Sequence, residues 1–153
     1  PTDVGRELRP TAAEAVRVMG RDRLAAFGTE NVARFQVTRA QILRTRNASR
    51  GGFLAADPGE RLEARLAARL EIRDATGRRL GFAEAETTRA RSAVDSTDAA
   101  RRAAAESLLR QAMFDLNTEF EFQLRRSLRP YLQDGPAGRV PAAPVEREAL
   151  PPA

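Results

Sequence analysis

The sequence contains no cysteine, no histidine, no lysine and no tryptophan. Without cysteine and histidine, the chain has no thiol nucleophile, no imidazole proton shuttle and no nitrogen or sulfur ligand for zinc. These absences exclude disulfides and Ser-His or Cys-His catalytic pairs, and they leave only carboxylate, hydroxyl and guanidinium chemistry. The sequence therefore predicts a protein that is not an enzyme and that holds no cofactor and no metal ion.

Aromatic residues and long apolar runs are also scarce. The 153 residues include seven Phe and one Tyr, although 42% of the chain is apolar. Much of the apolar content is alanine, which predicts a thin core with closely approaching elements. This length is typical of one domain that buries a core without disulfides or metal. No run of about 18 apolar residues exists, so the sequence predicts no transmembrane segment.

The positive charge of the side chains comes from a single residue type. All 26 basic residues are Arg, against 21 acidic residues, and the net charge is +5 with an isoelectric point near 11.1. Arginine binds carboxylates and phosphates through a planar fork. The excess permits an anionic partner, such as nucleic acid, a lipid headgroup or lipopolysaccharide. High arginine usage is also typical of a GC-rich genome, so the charge alone identifies no partner.

Two segments have the pattern of helices. Thr11 and Glu14 form a capping box before apolar residues at helical spacing, which predicts a helix over about 12–27. A longer apolar stripe follows a cluster of acidic and hydroxyl caps and predicts a second helix over about 98–129. Pro130 ends this second helix because it cannot continue the hydrogen-bonding pattern.

Three segments have the pattern of strands, at 32–43, 62–73 and 80–91. In the second, apolar residues occupy every even position and charged residues nearly every odd one, which is the period of a half-buried strand. In the first, the alternation slips near Thr38 and Arg39, which predicts a β-bulge. These elements predict an α+β fold: an antiparallel three- or four-stranded sheet with two helices on one face, in the order α-β-β-β-α.

The two ends of the chain differ from its middle in composition. We predict an N-terminal extension over residues 1–9, a single α+β domain over 10–132 and a disordered Pro- and Ala-rich tail over 133–153. The chain starts with Pro1 rather than Met. This start predicts that the chain is processed or trimmed, which leaves room for a removed leader.

The predicted connection between the first two strands combines basic and apolar side chains. Arg44, Arg46 and Arg50 precede Phe53 and Leu54, and this part of the sequence contains no acidic residue. Guanidinium groups beside an exposed aromatic and aliphatic pair suit an anionic lipid or a partner protein, so these five residues are the candidate partner-binding site. The alternative is a solvated hairpin whose apolar pair packs against the edge of the domain.

Four other residues have more than one interpretation. Glu84 and Glu86 share a strand face, where pairing with arginines of the neighbouring strand is preferred over acid–base chemistry. Phe114 and Phe122 lie beside the main apolar stripe of the second helix. Core packing is the preferred interpretation for both, and exposure would instead mark a contact surface. No constellation for a carboxylate-based hydrolase is present.

Four phrases give the sequence a resemblance to a group of alphaproteobacterial outer-membrane lipoproteins. They are RLAAFG at 23–28, EARL at 63–66, TRAR at 88–91 and DLNTEFE at 115–121. The order of predicted elements over about 10–132 is also similar to the small α+β fold of the lipopolysaccharide-assembly lipoprotein and of auxiliary lipoproteins of lipid transporters.

The resemblance implies a periplasmic domain that is tethered to the outer membrane through a lipidated Cys, a residue this chain does not contain. It implies a non-catalytic accessory role in envelope assembly or lipid transport, with an envelope protein or an anionic lipid as partner. The alternative hypothesis is a cytoplasmic nucleic-acid-binding module that uses an Arg-rich sheet face.

Overall fold

The computed structural model of the protein describes residues 1–24, 31–47 and 58–132. These residues form an antiparallel sheet with two α-helices on one face, as the sequence predicts. The elements in chain order are β1 (Thr2–Asp3), a 3₁₀ helix (Val4–Glu7), α1 (Ala12–Leu24), β2 (Val32–Arg46), β3 (Glu60–Arg73), β4 (Arg79–Val94), α2 (Asp98–Ser127) and a 3₁₀ turn (Arg129–Tyr131).

The four strands follow one another in the sheet in the order β1-β2-β3-β4, and every neighbouring pair is antiparallel. On β2, Val37 pairs with Ala68 and Arg39 pairs with Ala67. Thr38 therefore has no partner on β3, and it forms the bulge that the sequence predicts. The extra residue keeps the apolar side chains of both halves of β2 on the helix-facing side of the sheet.

The central strand β3 supplies the floor of the core. Its even-numbered side chains from Leu62 to Ile72 are at most 1% exposed, whereas most of the odd-numbered ones are half-buried on the other face. A helix would scatter these apolar groups around its circumference, but a strand places all of them on one side. Their burial removes apolar surface from water, which stabilises the fold by about 25 cal/mol for each Å² buried.

The long helix α2 packs on β4 and β3 through small residues of the sheet. Ala83 and Ala85 of β4 are buried, and Leu128 lies against the backbone of Gly81. These small side chains let the helix approach the strand closely. At the start of α2, the Thr97 hydroxyl accepts a hydrogen bond from the backbone N–H of Ala100, as expected of an N-cap.

The shorter helix α1 packs on β2. Thr11 and Glu14 form the predicted capping box, with distances of 2.8 and 3.1 Å between each side chain and the other residue's backbone nitrogen. Gly20 lies directly over the ring of Phe35, where a Cβ atom would enter the ring. The predicted helix extends to residue 27, and residues 25–30 lie outside the described part of the chain.

The first residues of the chain belong to the same body as the sheet. Thr2 and Asp3 pair with β2, and Val4 and Leu8 are buried in the core. The polar composition of residues 1–9 hides this role, because only these two apolar side chains anchor the segment. The predicted tail over 133–153 lies outside the described residues.

Candidate functional site

The open face of the sheet, which neither helix covers, carries a row of ion pairs along β3. The carboxylate of Glu63 binds Arg61 at 3.1 Å and Arg65 at 2.5 Å. In the same way, the carboxylate of Glu71 binds Arg69 and Arg73, each at 2.9 Å. Each acid therefore stands between two arginines that are two residues away on the same strand face.

The row continues onto β4. Arg69 binds Glu84 at 3.0 Å, which confirms the interpretation of Glu84 as a partner for an arginine of the neighbouring strand. The ring of Phe82 lies 4.2 Å from the guanidinium carbon of Arg69 and 4.8 Å from that of Arg79. These aromatic and carboxylate partners occupy the arginines of β3 on the open face, so their guanidinium groups are not free to approach a ligand at full charge.

The pairing also fixes the ionisation of the two acids on β3. Hydrogen bonds from Arg73 hold the pKa of Glu71 below its ordinary value, and hydrogen bonds from Arg65 do the same to the pKa of Glu63. A general acid at neutral pH needs a carboxyl group with a raised pKa. These two residues have the opposite shift, which is typical of structural ion pairs.

A second cluster lies at the opposite face, where β3 begins. The carboxylate of Glu60 is completely buried and accepts hydrogen bonds from Nε and a terminal nitrogen of Arg101 at 2.7 and 3.1 Å. Arg44 lies 3.4 Å from the same carboxylate. Hydrogen bonds from Arg101 hold the pKa of Glu60 below its ordinary value despite its burial. This cluster joins α2, β2 and β3.

The five predicted partner-binding residues fall into three groups. Arg44 faces the helix side, where it pairs with Glu60, so its charge is compensated inside the domain. Arg46 is exposed near the end of β2, at the base of the β2–β3 connection. Arg50, Phe53 and Leu54 lie outside the described residues. The prediction that all five bind a partner stays a prediction.

The base of the β2–β3 connection is fixed by hydrogen bonds. The backbone N–H of Asn47 donates to the carbonyl of Gly59 at 3.1 Å, and its side-chain amide donates to the carbonyl of Pro58 at 3.1 Å. Gly59 has a φ of 76°, a conformation that glycine adopts at little cost. These contacts hold Asn47 against Pro58 and Gly59 at the ends of the two strands.

The outer face of α2 carries two phenylalanines whose exposure the sequence did not reveal. Phe114 is 73% exposed and Phe122 is 57% exposed, so the prediction that they complete the core is wrong. The helix turns both side chains away from the sheet, whereas Phe120 is buried and packs edge-on against Phe35 with ring centroids 5.7 Å apart. The sequence signal for their exposure was their position beside the apolar stripe of the helix. That position is equally compatible with a wider core face, so the signal did not decide between the two.

Basic residues flank this aromatic pair. Arg110 lies one turn before Phe114, and Arg126 lies one turn after Phe122. Both arginines are exposed, and no ion pair joins either to a carboxylate in the part of the chain that the structure describes. At about 1.5 Å per residue, Phe114 and Phe122 are separated by about 12 Å along the helix axis. We call these four residues the aromatic patch.

The described residues contain neither a metal-binding cluster nor a helix that could cross a membrane. Within 1–24, 31–47 and 58–132, no group of three or more acidic side chains is placed to hold a metal ion. None of the helices in these ranges combines the length and the apolar run needed to cross a membrane.

Comparisons with known proteins give one distant structural likeness. No protein-family model matches the chain, and no curated protein matches it. The fold is similar to the crystal structure of a minor lipoprotein from Acinetobacter baumannii, with a TM-score of 0.46 and 14% sequence identity. The likeness covers 73% of this chain and 81% of the other.

Proposed function

We propose that the protein is a non-catalytic accessory domain of the bacterial envelope, located in the periplasm and tethered to the outer membrane, which binds a protein partner or an anionic lipid. The envelope setting comes from the resemblance of the four sequence phrases at 23–28, 63–66, 88–91 and 115–121. The binding role is supported by the aromatic patch on α2.

The aromatic patch is the observation that carries the proposal. Large apolar side chains such as Phe114 and Phe122 are costly to leave in water unless a partner covers them. Arg110 and Arg126 add positive charge at both ends of the pair. Aromatic rings between guanidinium groups suit an interface in which rings enter an apolar layer and arginines meet phosphates. An anionic lipid surface offers both.

A vesicle experiment tests the lipid form of this function. We expect the full chain to float with vesicles rich in phosphatidylglycerol and not with vesicles of phosphatidylcholine alone. The double variant Phe114→Ser with Phe122→Ser removes the apolar contribution and abolishes flotation. Phe82→Ser is the matched control, because it removes an exposed ring from the open sheet face instead. Flotation that is equal for the double variant and wild type contradicts a role for the patch.

The predicted partner-binding residues are tested together in the four-fold variant Arg46→Gln, Arg50→Gln, Phe53→Ser and Leu54→Ser, and circular dichroism verifies that its fold is unchanged. Arg44 is left in place, because Arg44→Gln also removes a partner of buried Glu60. Lipopolysaccharide or partner pull-down by the four-fold variant measures the contribution of the β2–β3 connection. Unchanged pull-down contradicts this site while leaving the aromatic patch as the binding surface.

The alternative hypothesis, a nucleic-acid-binding module, receives less support from the open sheet face. Nucleic-acid affinity depends on positive charges that neutralise phosphates and release counterions. Glu63 and Glu71 already neutralise much of the positive charge of the arginines along β3. Steep salt dependence of DNA or RNA binding would favour the alternative, and no binding at low salt would remove it.

A further inference from the structure

The outer edge of β2 has a hydrogen-bonded neighbour over a small part of its length. β1 pairs with Leu43 and Arg44, whereas β3 runs along the other edge from Val32 to Arg46. Within the described residues, no strand pairs with residues 32–41 on the outer side. Unpaired N–H and C=O groups at such an edge are a template for another extended chain.

This edge borders a groove of about 550 Å³. One wall is β2 from Val37 to Gln41, which includes the bulge at Thr38. The other wall is formed by residues of the first 3₁₀ helix, by Thr11 and by the first turns of α1. A bulge bends a strand and displaces it from regular pairing, so the groove follows the bent part of the edge.

The charge of the groove is positive. Arg6, Arg17 and Arg39 line it, together with one carboxylate, that of Asp3. Asp3 pairs with Arg6 at 3.3 Å. In the described structure, no ion pair engages Arg17 or Arg39. Glu14 of α1 accepts a hydrogen bond from the backbone N–H of Thr11, which lowers the pKa of its carboxyl group.

A carboxylate of the chain already binds one backbone N–H at this edge. Oδ1 of Asp3 accepts a hydrogen bond from the backbone N–H of Ile42 at 3.0 Å, just past the residues that β1 pairs. A carboxylate beside an arginine therefore already occupies one outward donor of β2. Because backbone groups alternate along a strand, the N–H of Ala40 points to the same side as that of Ile42.

We propose that the edge of β2 from Val37 to Gln41 binds an acidic, extended segment of a protein partner. The segment adds to the sheet as a further strand through hydrogen bonds to the backbone, and its carboxylates meet Arg17 and Arg39. Charge complementarity selects this occupant, because the groove carries three guanidinium groups against one carboxylate. This inference rests on the proposed binding function and names the class of protein partner.

A synthetic peptide tests the proposal with the full-length chain. The probe is a fluorescent peptide of about eight residues with alternating Glu and Thr, long enough for one strand. We expect saturable binding by fluorescence anisotropy and slower hydrogen exchange at the N–H of Ala40 in the complex. A peptide of the same length and charge, in which Pro replaces every other Thr, cannot pair as a strand, and we expect it not to bind.

Variants of exposed arginines locate the site. Arg17→Gln with Arg39→Gln removes the two guanidinium groups that lack ion pairs, and we expect the dissociation constant to rise by about tenfold or more. Arg102→Gln is the control, because Arg102 is also an exposed arginine and lies at the start of α2, outside the groove. Circular dichroism of each variant verifies that the fold is unchanged.

Three results would overturn the proposal. They are equal affinity for the Pro-containing peptide, equal affinity of the double variant and wild type, and no binding of the Glu-Thr peptide at any soluble concentration. Vesicle flotation measures a different surface. If the wild-type chain floats with vesicles but does not bind the Glu-Thr peptide, the edge site alone is rejected. If it binds the peptide but does not float, the aromatic patch alone is rejected.

Discussion

Nε of Arg101 lies 2.7 Å from Oε1 of Glu60, and the carboxylate of Glu60 has no exposed surface. The same guanidinium group donates to the carbonyl of Ser96 at 3.0 Å and pairs with Asp98 at 2.8 Å. This one side chain therefore connects the start of β3, the end of the β4–α2 connection and the first turn of α2. The charge of Glu60 is tolerated inside the domain because Arg101 donates to both oxygens of its carboxylate and Arg44 lies beside it.

Glu60→Gln is expected to lower the free energy of unfolding by about 3 kcal/mol, because the largely covered guanidinium group of Arg101 then loses its main anion. Urea denaturation measures the change. Glu63→Gln is the matched control, since Glu63 also binds two arginines but lies on the open face, where such pairs contribute at most about 1 kcal/mol. Equal losses in the two variants would show that burial of Glu60 has no energetic consequence.

The stability difference between wild type and Glu60→Gln should depend on pH. Hydrogen bonds from Arg101 hold the pKa of Glu60 below its ordinary value of 4.5. The contribution of its ionised form is therefore complete above 4.5 and is lost as the pH falls through the lower folded-state value. We expect denaturation curves of the two proteins to converge from about pH 4 downwards. A constant difference would contradict this linkage.

Two glycines with positive φ provide a matched pair of substitutions. Gly59 has a φ of 76° and Gly77 a φ of 91°, so Ala at either position costs about 1–2 kcal/mol of backbone strain. A Cβ at Gly59 would also lie 2.7 Å from the carbonyl oxygen of Val94, whereas one at Gly77 meets nothing within 4 Å. We expect Gly59→Ala to lower the melting temperature more than Gly77→Ala does. A larger loss at Gly77 would contradict the steric account.

The cap of α2 is expected to contribute about 1 kcal/mol. Thr97→Ala removes the hydroxyl that accepts from the backbone N–H of Ala100 at 3.2 Å. Thr97→Ser keeps this acceptor and should retain most of the stability. Thermal unfolding of the three proteins measures both effects, and a Ser variant as unstable as the Ala variant would show that the methyl group matters instead.

The strands were predictable wherever alternation was strict. The run of apolar residues at even positions from Leu62 to Ile72 has one arrangement that buries all of them together, and that arrangement is the observed strand. The bulge at Thr38 was predictable for the same reason, because the change of phase there has a single geometric solution. Helix starts followed from side chains that cap the backbone, such as Thr11.

Features that depend on distant partners were not predictable. Glu60 comes directly before the alternating run and looks like any charged residue at the start of a strand. Its burial depends on Arg101, which is 41 residues away. β1 is two residues long, too short for any periodic signal. The exposure of Phe114 depends on how α2 rotates about its axis when it packs on β4, and small changes in that rotation exchange core and surface positions.

The bulge at Thr38 also determines where β2 can change in length. Deleting Thr38 would leave Val37 and Arg39 opposite consecutive residues of β3, and all other side chains of the strand would keep their faces. Deleting a residue elsewhere would exchange the faces of every side chain between that position and Thr38. Natural variants of this chain should therefore gain or lose residues in β2 at this point, and shortened forms should be the ones with the straighter sheet.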